Sequence, residues 1–249
     1  MSVIDTCNLR VWYAFNADSI GHLATYVDFH RLEVGRRYSK YYSFFVFNSD
    51  SLCTVWQSKH PYAESRPWGL GERGKYPYRW LEYKYSEYFI DYSKAELTEY
   101  GRMPKYMHGY NSQSSEPIPI QGWEICKDTV LMLGYKCQKA MCLFRGRMYE
   151  VWFTMDIPID KGPWKFSGLP GLIMKVNDEK RCFSFECVKV ELFKDGLPIK
   201  KYDYDSYKKI SREELLKLQK MIHKNYSNKK AANEADLLFS PAYEPLELE

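Results

Sequence analysis

No apolar run in this sequence reaches the ~18 residues that a membrane-spanning helix requires. Residues 1–14 lack the basic start and uninterrupted apolar core of an export signal. That fits a cytosolic protein, or an exported one whose signal has been removed. No Cys-x-x-Cys pair occurs among the seven cysteines (Cys7, Cys53, Cys126, Cys137, Cys142, Cys182, Cys187), so neither a thioredoxin-like site nor a zinc ribbon is indicated. The five histidines (His22, His30, His60, His108, His223) show no His-Glu-x-x-His spacing, and no metal site is expected. A Gly-x-Ser-x-Gly elbow and a Walker loop are both missing, and no cofactor is expected. Gly69-Leu70-Gly71-Glu72-Arg73-Gly74 has dinucleotide-loop spacing, but no strand precedes it and no clear helix follows, so it reads as a flexible loop. Charge of one sign is also scarce in runs. The basic clusters are the short pairs Arg36-Arg37, Lys200-Lys201, Lys208-Lys209 and Lys229-Lys230, in a chain of net charge +4. Nucleic-acid binding is therefore not expected, because it concentrates basic charge on one face.

What the sequence has in abundance is aromatic rings. Of 249 residues, 17% are aromatic, with 22 Tyr, 13 Phe and 7 Trp. Such side chains favour half-buried pleated surfaces, which points to sheet. Hydrophobic residues at 45% and charged residues at 27% suit a globular domain.

Alternation marks the first strand at 9–15, where Leu9, Val11, Tyr13 and Phe15 share a face. Further strands are predicted at 26–34, ended by Gly35, and at 38–47. Asn48 to Ser51 then supply caps for a short helix over 52–59. Residues 61–77 carry three prolines and three glycines and read as a loop insertion. Strand patterning resumes at 79–92 and 96–102, while 104–119 looks irregular. In the second half, 123–126, 135–144, 148–154, 172–177 and 182–192 read as strands. Their connections are short and demand antiparallel neighbours, with turns at Arg145-Gly146 and 177–180. The capping box Ser211-Arg212-Glu213-Glu214 opens a helix to about Tyr226 with the stripe Leu215, Leu218, Met221, Ile222. Residues 227–249 read as a tail. No linker interrupts the strands, so one α+β domain over 1–249 is expected.

Carboxylates are scattered, with Asp156 and Asp160 flanking Ile157-Pro158-Ile159, and Asp203 and Asp205 between tyrosines. The segment 157–173 differs in kind. Three prolines and three glycines punctuate it, yet Trp164, Phe166, Leu169 and Leu172 give it apolar anchors. Such a loop should be packed and rigid. It is either a binding rim or a crossover that plugs one end of the sheet. Leu169-Pro170-Gly171-Leu172 fits a type II turn, with Gly171 supplying positive φ.

Gly168-Leu169-Pro170-Gly171-Leu172-Ile173 resembles the signature of the GLPGLI family of exported Bacteroidetes proteins. The ordered blocks Trp123-Glu124-Ile125, Gly134 to Ala140, Phe144-Arg145-Gly146-Arg147, Trp152-Phe153-Thr154 and Ile157-Pro158-Ile159, then Gly162-Pro163, extend the resemblance over 123–190. The resemblance implies a periplasmic or secreted protein, and it carries no catalytic residues. By analogy it suggests a half-barrel like that of periplasmic lipoprotein carriers, a curled antiparallel sheet around helices. In an oxidising compartment the cysteines allow one to three disulfides of unreadable connectivity; the other reading makes most of them small apolar core residues.

The expected function is a non-enzymatic binding module of the cell envelope. Its aromatic concave face, rimmed by the Gly162–Gly171 loop, would meet an apolar ligand or a protein partner. Trp123, Trp152, Trp164 and Phe166 are the candidate contacts, and each is equally a candidate for the core. The alternatives are a hydrolase of peptides or glycans using Asp156 and Asp160, and a structural scaffold of envelope complexes.

Overall fold

The structure, a computed structural model, describes residues 1–65, 67, 70–76, 79–231 and 243–248. The first strand, β1 (Ser2–Phe15), runs well beyond the alternating stretch 9–15. It is followed by β2 (Asp28–Gly35), β3 (Tyr38–Ser43), α1 (Phe44–Lys59), α2 (Glu82–Tyr85), β4 (Ser86–Asp91), β5 (Glu96–Gly101) and β6 (Ser112–Pro117). The second half holds β7 (Glu124–Met132), β8 (Tyr135–Phe144), β9 (Arg147–Thr154), β10 (Leu172–Asp178), β11 (Ser184–Lys201), β12 (Lys208–Lys209) and α3 (Arg212–Ala231).

All 12 strands form one sheet in the order β12-β6-β5-β4-β3-β2-β1-β11-β10-β9-β8-β7. Every pairing is antiparallel except the short β12–β6 contact. Short turns explain this. Arg145 and Gly146 take φ +50° and +75°, and Leu133 and Gly134 take +50° and +84°, the left-handed pairs of two-residue hairpins. The β1–β11 pairing carries register shifts at Val3/Asp5, Cys7/Leu9 and Trp12/Tyr13. Such bulges bend and twist strands at the middle of the sheet.

The bend curls the sheet without closing it into a barrel. β6 and β9 stand eight places apart in the strand order, which in a flat sheet would separate them by about 40 Å. Yet Arg145, in the turn before β9, is ion-paired with Glu116 of β6. The expected α+β fold, a curled antiparallel sheet with a C-terminal helix, is what the chain adopts. At α3 the capping box forms as read: the Glu214 N–H donates to Ser211 Oγ at 3.2 Å, and the Ser211 N–H donates to Glu214 Oε2 at 2.8 Å.

Three local readings are corrected. The expected third strand stops at Ser43, whose hydroxyl accepts from the Val46 N–H at 3.2 Å and starts α1 eight residues early. Phe44 then packs edge-on to Trp12 at 4.9 Å, so the aromatics that looked like strand residues serve a helix lying on the sheet. The irregular 104–119 stretch contains β6, whose Ser and Gln residues hide its pairing with β5. Residues 82–85 form α2 instead of continuing a strand. Trp68, Gly69 and residues 232–242 of the expected loop and tail lie outside the described residues.

Candidate functional site

The core lies on the concave face. Leu9, Val11, Tyr13 and Phe15 of β1, Tyr41 of β3, Tyr88 of β4, Tyr149, Val151 and Phe153 of β9, and Phe185 of β11 all point into one buried cluster. Its centre is filled by the chain's own segment between β9 and β10. Trp164 is 4% exposed, Phe166 2% and Leu169 1%. Phe166 meets Tyr149 edge-on at 4.8 Å and Trp164 at 5.2 Å. The segment braces itself as well: the Phe166 N–H donates to the Pro163 carbonyl at 3.1 Å, and the Gly168 N–H to Asp160 at 3.2 Å. Ile173 is tied to the sheet by the Tyr13 hydroxyl, which donates to its carbonyl at 2.7 Å.

The signature is therefore a plug. Gly162 and Pro163 open its turn, and Leu169, Leu172 and Ile173 bury inward. Gly171 does not take positive φ, so the type II turn is corrected; the glycine with positive φ is Gly168, at +86°. What Gly171 provides is closeness, because a Cβ there would lie 2.0 Å from the Thr154 carbonyl oxygen. Pro170 stays exposed between them.

The four aromatic contact candidates do not form one external face. Trp164 and Phe166 are core. Trp123 is half-buried and donates its Nε1–H to the Ser167 carbonyl at 2.8 Å, holding the plug from β7's approach. Trp152 alternates with buried Val151 and Phe153 along β9 and lies 6.0 Å beneath the Lys139 ammonium. The aromatic concave face predicted from composition exists, but the protein fills it itself. Asp156 and Asp160 are exposed on the plug's entry. Asp156 Oδ2 accepts the Lys136 N–H at 3.3 Å, and Asp160 pairs with Lys161 at 2.8 Å.

Beside Phe166 the plug carries a buried cation. Lys165 Nζ lies 3.3 Å from Glu99 of β5 and 3.1 Å from Glu116 of β6, and it also pairs with Glu247 of the C-terminal segment. Arg212 and Arg145 complete the cluster on Glu247 and Glu116. Burial alone would drive the proton off Lys165, but Glu99, Glu247 and Glu116 outweigh it and raise its pKa. Burial likewise opposes charge on Glu247, and Lys165 and the arginines overcome it and lower its pKa. These six residues span the gap that strand pairing leaves open. Nothing in their sequence spacing announces them.

A cleft of about 670 Å³ opens on the convex side of β4, β5 and β6. Alternation places Phe89 and Tyr100 there, back to back with inward Tyr88 and Glu99. Tyr100 stacks on Tyr204 at 3.9 Å, and the Lys201 ammonium stands 4.8 Å over the Tyr100 ring. Asp91 and Glu96 line one end. Burial works against charge on Asp91, but hydrogen bonds from Ser93, Arg37 and Tyr38 hold its carboxyl well below the usual range. Lys94, Glu96, Lys201 and Lys209 make no hydrogen bond or ion pair with a side chain among the described residues. Sequence reasoning missed this cleft. Its one legible sign was the tyrosine-rich stretch 202–207, which folds back over Tyr100.

Among the described residues, no group of three or more His, Cys, Asp or Glu side chains could hold a metal ion, and no helix is long and apolar enough to cross a membrane.

The class these features define is a curled, internally plugged antiparallel sheet with mixed-charge aromatic clefts. A family model described as the N-glycanase peptide, N-terminal domain, matches residues 75–232, and the chain belongs to that family. The GLPGLI family is not among the matches. Two solved structures of PNGF-II share the fold. The C2 crystal form gives a TM-score of 0.50 at 13% identity, covering 86% of this chain and 33% of that one. The P21 form gives 0.50 at 14%, covering 88% and 34%. The chain thus spans about a third of the length of those solved chains. No curated protein matches it.

Proposed function

We propose that this chain is a non-enzymatic, exported module that holds carbohydrate for a glycan-directed protein, and that the whole chain acts as one unit. The observation that carries this reading is the convex cleft, where Phe89 and Tyr100 lie beside Lys94, Glu96 and Lys209, which make no side-chain hydrogen bond or ion pair among the described residues. A sugar offers C–H faces to aromatic rings and hydroxyls that both donate and accept, so uncommitted carboxylates and ammonium groups suit it. The N-glycanase description of the family supports the ligand class, and the GLPGLI resemblance supports export. The cleft replaces the concave face as the binding surface because the plug occupies the latter.

Titration of an N-linked oligosaccharide into the purified chain tests the reading. Binding should weaken about tenfold in Lys201→Met and in Glu96→Gln, with thermal unfolding unchanged. Absence of binding, or binding indifferent to both substitutions, sinks it. The same preparation addresses hydrolysis through the loop carboxylates. Release of glycan or peptide product that vanishes in Asp156→Asn or Asp160→Asn would make this protein an enzyme instead.

A further inference from the structure

A second cavity, of about 200 Å³, lies where α2, α3, the turn between β10 and β11, and the C-terminal segment meet. Glu82 lines it from α2. The residue is only 7% exposed, and its Oε1 has no hydrogen-bond partner among the described residues. A buried acceptor left without a donor is uncommon and costly, so the site is one that a ligand carrying N–H groups would complete. The remaining walls are rich in rings: Tyr83 beside Glu82, Phe183 from the turn, Tyr76, and Tyr243 from the C-terminal segment. Ring faces attract cations while supplying few competing hydrogen bonds.

Of the cations nearby, Arg79 lines the cavity wall, and both it and Lys84 are turned to Tyr76. The Arg79 guanidinium lies 4.2 Å over the Tyr76 ring, and Lys84 Nζ donates to the Tyr76 carbonyl at 3.3 Å. His223 faces the cavity from α3, and burial pushes its pKa down, so it is neutral at physiological pH. Glu244 pairs outward with Arg147. The charge that bears on Glu82 from β5 is that of Glu99, of the same sign, and burial together with Glu99 pushes the Glu82 carboxyl up to about 7. The volume excludes an oligosaccharide. At roughly 30 Å³ per water-sized group it holds an ion of about six heavy atoms.

The geometry points to a binding site for a small organic ammonium ion, whose N–H groups donate to Glu82 while its carbon chain packs against the tyrosine and phenylalanine rings. This site is separate from the convex cleft and stands whether or not that cleft holds sugar.

The probe is n-butylammonium, with n-butanol as the neutral control, titrated calorimetrically into the full chain at about pH 8, where the carboxyl is ionised. Butylammonium should bind at least about tenfold more tightly than butanol, and Glu82→Gln should erase that advantage. If Glu82→Gln does not fold, Glu82→Asp withdraws the charge by one methylene and should weaken butylammonium about threefold or more while leaving butanol unchanged. A direct readout is the ¹³C titration of the Glu82 carboxyl in the unmodified protein. Its midpoint, about 7 in the free chain, should fall on saturation with butylammonium, because a bound cation favours the charged form. Equal affinity for the two probes, an ammonium advantage that survives Glu82→Gln, butylammonium binding undiminished in Glu82→Asp, or an unmoved midpoint would each overturn the assignment.

Discussion

A Cβ placed on Gly171 would stand 2.0 Å from the Thr154 oxygen and 2.6 Å from its carbonyl carbon. Both atoms belong to the backbone of β9, which cannot swing aside as a side chain could. Gly168 is a different case. Its φ is +86°, yet the nearest heavy atom to a Cβ there is Trp123 Nε1 at 3.8 Å. Alanine at 168 meets conformational strain alone, about 1 kcal/mol. Alanine at 171 must displace a strand and should cost about 3 kcal/mol or more. Urea denaturation of the two variants measures the difference, and equal costs would show that β9 yields. The sequence placed both glycines in one signature motif. It assigned the positive φ to the wrong one, because a Pro-Gly pair signals a turn whatever approaches the glycine from elsewhere in the chain.

At the scale of elements, the plug between β9 and β10 and the C-terminal segment act together as a strap across the open sheet. Tyr149 donates its hydroxyl to the Leu246 carbonyl at 3.0 Å, and Arg147 Nε donates to Pro245 at 3.1 Å. Lys165 joins this segment to β5 and β6. Lys165→Met would leave Glu99, Glu116 and Glu247 facing one another around an apolar chain, at a cost of about 3–5 kcal/mol. Acid should act through the same cluster. Glu247 has a folded pKa below its ordinary value of 4.5, so its contribution is present above about pH 4.5 and is lost as pH falls through the folded value. Stability of the native protein should therefore drop on acidification below about pH 4.5, and the drop should shrink in Lys165→Met, whose Glu247 has lost its nearest cation. Chemical denaturation across pH checks both; an unchanged acid slope in the variant would remove Lys165 from the account. None of these partners was legible, since Lys165 and Glu247 stand 82 residues apart. The start of α1 was hidden for a related reason. Phe44 and Phe47 have strand-like chemistry, and only the cap at Ser43 and the rings of Trp12 and Tyr42 beneath them decide for helix.

Across the whole molecule, five of the seven cysteines are buried and only Cys126 and Cys182 are partly exposed. Burial pushes the Cys137 thiol up to about 11, and those of Cys142 and Cys187 up to about 12. Thiols so shifted are weak nucleophiles at neutral pH. A chromogenic thiol reagent should therefore find two reactive groups in the folded protein and all seven after denaturation. Fewer than seven after denaturation, in material from an oxidising compartment, would instead reveal disulfides and support the exported reading.

The sequence by itself determined what is local. Period-two alternation placed β5, β8, β9 and β10 within a residue or two, short turns made the sheet antiparallel, and Ser211 with Glu214 set the start of α3. These signals depend on neighbours a few residues away, which a linear reading contains. Only the tertiary structure decided what depends on curvature. Bulges in β1 bend the sheet until β6 reaches the turn before β9, and that closure makes the concave face a core and turns Trp164 and Phe166 from candidate contacts into its filling. The same bend draws Lys165 among its carboxylates and leaves Glu82 Oε1 beside a cavity with no hydrogen-bond partner among the described residues. Such environments are set by residues distant in the chain, so the physical reason they escaped the sequence is that their energies do not exist until the sheet has curled.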